Sequence, residues 1–338
     1  MKIGIDGMGG DHAPLVVVEG VIEASKLIDD ELIIFGNETV IQKLLEERQY
    51  NHSKISVVHA EDVISNEDAP VRAVRTKKES SMVKGIQAVK DQQIDVFVSA
   101  GNTGALMAGG LLILGRISGI DRPALATILP PIVGDRPMLL VDAGANSECK
   151  PNNLLEFGIM GNIYMSRVLG VSNPEVALVN IGAEESKGTT VTKAAYKLLE
   201  KSELNFVGNV EARDIPNGVT DVIVCDGFVG NVILKLIEGL ALSFLQVIKG
   251  KFMEGTLAKI GAALLSGKFR ELKTMMDYSE YGGAPILGVE GALVKMHGSS
   301  NANAVKNTIL KAIPYVKNEV VKTIHEDVFD LEELELEE

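Results

Sequence analysis

Short apolar runs alternate along the chain with stretches whose apolar residues return every three or four positions. The runs lie at residues 2–6, 32–35, 55–58, 95–99, 138–142, 176–181 and 221–225. Most are β-branched, the pattern of strands buried on both faces. Between them the spacing predicts helices over 14–27, 39–47, 81–90, 102–114, 154–169, 190–201 and 230–248. Pro14 suits a first helical position, where its missing N–H costs nothing. The alternation predicts an α/β fold built on a doubly wound, mostly parallel sheet. Later the pattern changes: 250–276 read as helical and basic, 281–295 as a Gly-rich hairpin and 301–324 as a closing helix. There is no fixed-period repeat and no Ser- or Pro-rich linker. Residues 1–325 are therefore expected to form one α/β domain, any second lobe being continuous with it. Residues 250–276 would protrude from it, and 326–338 would be a solvated acidic tail.

The turns after the strands carry the chemistry. Six strand ends run into Gly-rich polar turns: Asp6-Gly7-Met8-Gly9-Gly10-Asp11-His12, Ser99-Ala100-Gly101-Asn102-Thr103-Gly104, Asp142-Ala143-Gly144-Ala145-Asn146, Asn180-Ile181-Gly182-Ala183-Glu184, Asp226-Gly227-Phe228-Val229-Gly230-Asn231 and His297-Gly298-Ser299-Ser300. In a parallel sheet the carboxyl ends of the strands share one edge, where ligands bind. Glycines let backbone N–H groups approach a ligand, and a following helix N-terminus favours anions. This selects Asp11, His12, Gly101, Asn102, Thr103, Gly104, Asn146 and His297 as candidate anion-binding residues. Lys187 sits in a turn between a strand and a helix; it either holds an anion or is a solvated surface lysine. Asp226 either caps a helix or joins Asn231 in the cleft. His12 and His297 are either catalytic or structural.

Composition narrows the partners. The chain has 338 residues, 46% of them hydrophobic, enough for a sizeable core. The net charge is −13, yet eight acids and no base fall in 326–338, leaving −5 for the rest. With 4% aromatics and no Trp, a nucleic-acid partner is not expected. Two cysteines, Cys149 and Cys225, make neither a disulfide framework nor a cysteine zinc site, which suits a reducing cytoplasm. Asp6 interrupts any leader-like apolar stretch at the N-terminus. Apolar runs such as 105–115 fall short of the ~20 residues a spanning helix needs, so a soluble or peripherally attached protein is expected. No cofactor or metal is expected.

Several motifs are missing. No G-x-S-x-G elbow marks a hydrolase serine. Residues 182–189 come near a phosphate-binding loop, but Lys187 and Gly188 are in exchanged order. His12 occupies the last position of the first turn, where a dinucleotide fingerprint needs glycine. The second strand closes on Phe35-Gly36-Asn37 without a ribose-binding acid.

Taken with Asp121-Arg-Pro-Ala124, Asn209-Val-Glu-Ala-Arg213 and Cys225-Asp-Gly-Phe-Val-Gly-Asn231, the first, second and last turns resemble the bacterial acyl-carrier-protein:phosphate acyltransferase family of phospholipid synthesis. The likeness runs from residue 1 to about 325 without a clear departure in these motifs. It implies a fold like those of isopropylmalate dehydrogenase and phosphotransacetylase, a homodimer and no cofactor. It also implies transfer of a fatty acyl group from acyl-carrier protein to inorganic phosphate, giving acyl phosphate for glycerol-3-phosphate acyltransferase. Phosphate would attack the thioester directly, with rate gained by proximity. On that footing Lys187 and Asn231, with turn N–H groups, would stabilise the oxyanion, and Asp226 would orient one of them. Two basic clusters suit an acidic carrier: Arg72, Arg75, Lys77 and Lys78, and the segment from Lys249 to Lys273. The second also places Leu257, Ile260, Leu264 and Leu265 on one helical arc, the form of an interfacial helix or of a packing helix. The likeness favours the first, a peripheral contact with an anionic membrane at the inner face of the cell membrane. A nicotinamide-dependent β-decarboxylating dehydrogenase is the alternative on this fold class, but neither its carboxylate cluster nor its dinucleotide site is found. A non-catalytic membrane scaffold would have no use for six ligand-type turns.

Overall fold

The computed structural model describes residues 1–131, 134, 136–275 and 282–336. The chain runs β1 (Lys2–Asp6), α1 (Leu15–Ser25), β2 (Glu31–Gly36), α2 (Glu38–Glu46), β3 (Ile55–His59), α3 (Pro70–Thr76), α4 (Ser81–Lys90), β4 (Val96–Ser99) and α5 (Thr103–Gly109), which continues as a π-helical turn over Gly110–Leu114. Then come β5 (Ala124–Leu129), β6 (Met138–Val141), α6 (Pro151–Leu169), β7 (Glu175–Asn180), α7 (Thr190–Lys201), β8 (Asn205–Glu211), β9 (Val222–Val224) and α8 (Gly227–Phe252). The chain continues through α9 (Thr256–Leu264), α10 (Ser266–Met275), β10 (Ala284–Leu287), β11 (Ala292–Lys295), α11 (Ala302–Lys317) and α12 (Val320–Leu336).

Among the described residues, eleven strands form one sheet in the order β3-β2-β1-β4-β11-β10-β5-β6-β9-β7-β8. It is parallel except where β10 meets β11 and β5, and where β5 meets β6. Because the strand interiors are apolar on both sides, both faces need cover. One face packs on α1, α6, α11 and α12 through Val18, Phe157, Met160, Ile309 and Ile324. The other packs on α3, α4, α5 and α8 through Val74, Ile86, Leu106 and Ile233. This is the expected doubly wound α/β sheet.

All seven expected strands are present, and two more were not foreseen. β5 is an apolar run closed by Pro123 and Pro130, and such a run does not by its period separate strand from buried helix. β8 lies at the sheet edge, half-exposed and interrupted by Gly208, so it shows no clean alternation. The short α3 was also missed. The expected 250–276 helix is instead the end of α8 and two short helices. Gly255, with φ of +86°, turns the chain between α8 and α9. The closing helix divides at Glu319, and α12 carries helical structure into the segment expected as a solvated tail. Met276, Tyr281, Glu337 and Glu338, and the side chains of Arg270 and Lys273, lie outside the described residues.

α8 also corrects the expectation on apolar length. At 26 residues it is the one described helix long and apolar enough to cross a membrane. Its first turns, however, are built into the sheet edge. Gly227, Gly230 and Ile233 are buried there, and the Gly227 N–H donates to the Asn146 carbonyl at 2.7 Å. A methyl group at Gly230 would fall on the Asp142 carbonyl oxygen, whereas one at Gly239 would meet no atom within 4 Å. Gly230→Ala is therefore expected to cost about 1–3 kcal/mol by overpacking. Gly239→Ala should be neutral or gain up to about 1 kcal/mol by removing a helix glycine. Urea unfolding of the two variants checks the opposite signs.

Candidate active site

The cleft opens where the carboxyl ends of β4, β11 and β6 meet the amino ends of β10 and β5. Its volume is about 430 Å³. Gly101 and Thr103 line it from the turn after β4, Gly144 from the turn after β6, and Lys295, His297 and Ser300 from the end of β11. α8 supplies Asn231, Lys235 and Glu238. These α8 residues fall at i, i+4 and i+7, one helix face.

Two buried carboxylates hold the turns without lining the cleft. Asp142 accepts from the N–H groups of Leu125 (3.1 Å), Gly144 (3.0 Å), Ala145 (2.9 Å) and Asn146 (2.7 Å), and from Asn146 Nδ2 (2.9 Å). Burial pushes its carboxyl up, and these donors pull it back. Asp6 accepts from Ser81 Oγ at 2.7 Å and Ser99 Oγ at 2.6 Å, pinning β1 to α4 and β4.

The basic wall is the chemical feature. Lys295 is buried, and its Nζ donates to the Ala100 carbonyl at 3.4 Å and to the Met296 carbonyl. Burial lowers its pKa to about 8, so it stays mostly cationic at neutral pH. His297 Nδ1 accepts the Ser299 backbone N–H at 3.2 Å. That assigns the neutral ring's proton to Nε2, which stands 3.5 Å from Lys235 Nζ. Ser299 Oγ stands 2.8 Å from Nδ1 as well. Burial, and next the charge of Lys235, push the His297 pKa down. Glu238 pairs with Lys235 at 2.8 Å.

Of the sequence candidates, Gly101, Thr103, Asn231 and His297 meet in this cleft. Asn102 is a helix cap: its Oδ1 accepts the Ala105 N–H at 3.0 Å and its Nδ2 donates to the Ser65 carbonyl at 3.1 Å. Asp226 caps α8 through the Val229 N–H at 2.8 Å. Asn146 is spent on Asp142 and on the Pro123 carbonyl at 2.8 Å. Asp11 and His12 are exposed beside the cleft, Asp11 being tied by its N–H to the Gly298 carbonyl at 2.8 Å. Gly104 packs beside Pro70. Lys187 is exposed on the same sheet edge, at the end of β7, and is not a lining residue. The lining cations are Lys295 and Lys235, which sequence reasoning missed. Their signal was present: Lys235 and Glu238 are the only charges in 227–248, and Lys295 ends an apolar strand. Among the described residues no group of three or more His, Cys, Asp or Glu is placed to hold a metal.

Comparison with known proteins adds the family. The fatty acid synthesis protein family matches residues 1–323. Phosphate acyltransferase from Alkaliphilus oremlandii is 55% identical over 337 residues, covering 100% of both chains. That from Clostridioides difficile is 50% identical over 327 residues, covering 96% of each. The chain belongs to the phosphate acyltransferase family. It is an enzyme of that class, in fatty acid and phospholipid synthesis. In fold it is similar to a phosphotransacetylase from Streptococcus pyogenes, with a TM-score of 0.60, 15% identity and 94% of each chain covered. It is also similar to 4-hydroxythreonine-4-phosphate dehydrogenase from Klebsiella pneumoniae, with a TM-score of 0.55, 10% identity and 93% and 98% covered.

Lys295 gives the cleft a measurable signature. Its folded pKa, about 8, lies below the unfolded 10.5, so the unfolded chain binds more protons above pH 8. The penalty for burying the charge is full at pH 7 and is relieved as pH rises through 8. Lys295→Met is expected to be more stable than the wild type at pH 7, with the difference shrinking by pH 9.5. Urea midpoints at the two pH values measure it.

Proposed function

We propose that the cleft transfers a fatty acyl group from acyl-carrier protein to inorganic phosphate. The observation that carries this reading is the convergence of Lys295, Lys235 and the His297 Nε2–H in one cavity with the Asn231 amide. Phosphate brings its own nucleophilic oxygen, so such a site needs cations and donors rather than an activated side chain. Neither cysteine lines the cleft, and burial pushes the Cys149 thiol up to about 12 and Cys225 up as well. A thiolate route is therefore unsupported.

A phosphate oxygen attacks the thioester carbonyl carbon, and the tetrahedral oxyanion then collapses with cleavage of the C–S bond. The carrier thiolate leaves and takes a proton. The products are acyl phosphate and free carrier. Lys295 and His297 hold the phosphate. Lys235 and Asn231 stabilise the oxyanion, and Asp226 positions Asn231 by fixing the first turn of α8. Lys187, exposed on the same sheet edge away from the cleft, steers the anionic donor. The carrier docks beside α3, where Arg72, Arg75 and Lys78 are exposed and take part in no ion pair among the described residues. Lys77 is not part of that surface, since it is held by Asp68 at 2.8 Å. Acyl phosphate passes to glycerol-3-phosphate acyltransferase. The exposed Val232, Leu236, Leu240, Phe244 and Val247 of α8 support a homodimer.

The deciding assay is release of thiol from acyl-carrier protein with acyl phosphate trapped as its hydroxamate. Release is expected to require phosphate, and phosphate-independent release would overturn the reading. The KM for phosphate should rise as pH passes 8, because Lys295 loses its charge there. Asn231→Ala should lower kcat by about a hundredfold.

The same proposal includes a peripheral contact with the anionic inner face of the membrane. Leu257 is 86% and Leu264 82% exposed, with Ile260 between them on one face of α9 and Lys259 on the opposite side of the helix. Leu257→Glu or Ile260→Glu is expected to abolish sedimentation with anionic vesicles and leave transfer to phosphate intact. Unchanged sedimentation counts against the membrane contact.

A further inference from the structure

The face of α8 that enters the cleft does not end there. Asn231, Lys235 and Glu238 line the cleft, and continuing at helical spacing the same face presents Leu242, Leu245, Lys249 and Phe252. The second set lines a separate apolar groove of about 470 Å³, closed on its other sides by Ala262 of α9 and Phe269 of α10. Phe252 and Phe269 meet edge to face at its end, with ring centroids 4.7 Å apart. One helix face thus begins with an amide, an ammonium and a carboxylate, and then turns mainly apolar, with Lys249 as its further charge.

At 1.5 Å of rise per residue, Leu242 lies about 10 Å and Phe252 about 25 Å along the axis from Lys235. A bilayer core, two acyl chains deep, is ~30 Å thick, so one chain spans roughly half of that and reaches from the cleft into the first part of the groove, to about Leu245. The two sides of α9 separate the groove from the membrane contact, for Ala262 faces inward while Leu257 and Leu264 face solvent.

We propose that the groove between α8, α9 and α10 is the acyl-chain site of this enzyme, holding one long chain whose reacting carbonyl lies in the cleft at Lys235. This rests on the acyl transfer proposed above. It makes the arm a ruler for chain length, because apolar contact is gained with each methylene laid along α8.

The test uses the full-length protein without detergent, with hexadecanoyl and octanoyl acyl-carrier proteins as donors. Ala262→Trp fills the groove from α9, and Leu245→Trp fills it from α8. Each variant is expected to lose about tenfold or more of kcat/KM for the long donor and to keep the short donor within about twofold. Binding of cis-parinaric acid, read by its fluorescence, is expected for the wild type and lost in both variants. Equal effects on both donors, or none, overturn the proposal. So does loss of vesicle sedimentation with an unchanged chain-length profile, which assigns the groove to the membrane contact. If the wild type moves no acyl group to phosphate from either donor, the reaction itself is misread. Parinarate binding then decides the groove alone: loss on filling supports it, and absence of binding by the wild type overturns it.

Discussion

Asp142 is a carboxylate without exposed surface, and the geometry of the cleft follows from how its lone pairs are satisfied. Five N–H donors converge on it, four from the backbone and one from Asn146. Each donor left unpaired in such a place would cost about 1–3 kcal/mol, so the backbone from Gly144 to Asn146 must curl around the oxygens. That curl sets where the Asn146 carbonyl points, and the carbonyl receives the first N–H of α8. α8 then lies so close to Asp142 that only glycine fits at position 230. The amide of Asn231 and the charges of Lys235 and Glu238 take their places from this one seat.

The cleft sets a local charge against the global one. In a chain of net charge −13, Lys295, Lys235 and a neutral histidine share a wall. Burial, and next the charge of Lys235, work against protonation of His297, and burial works against protonation of Lys295. The folded protein thus tolerates an unfavourable burial of charge at Lys295. The same helix carries this polar head into an arm whose groove is lined mainly by apolar side chains.

The sheet was legible because its strands are uniformly apolar and its helices keep a clear period. β1, β4, β6 and β9 were found for that reason. β5 and β8 were not: one is an apolar run between prolines whose period does not separate strand from buried helix, and the other is a half-exposed edge with a glycine inside. The site was legible only as a set of turns. Gly101, Thr103, Asn231 and His297 converge because the carboxyl ends of parallel strands must share an edge. Asn102, Asn146 and Asp226 have the same polar character, but their hydrogen bonds are spent on caps and on Asp142.

Sequence alone determined the α/β class, the sheet edge that gathers the Gly-rich turns and the phosphate acyltransferase resemblance. Those come from periodicity and from residue types repeated at strand ends. Tertiary structure decided which cations serve the cleft. Lys187 was chosen because its turn looked like an anion loop, yet β7 is separated from β6 by β9. Lys295 sits on a late hairpin that β4 accepts as a parallel neighbour, and this long-range pairing carries its ammonium beside Ala100. Strand order is set by packing across the whole sheet, and no local pattern of residues encodes it.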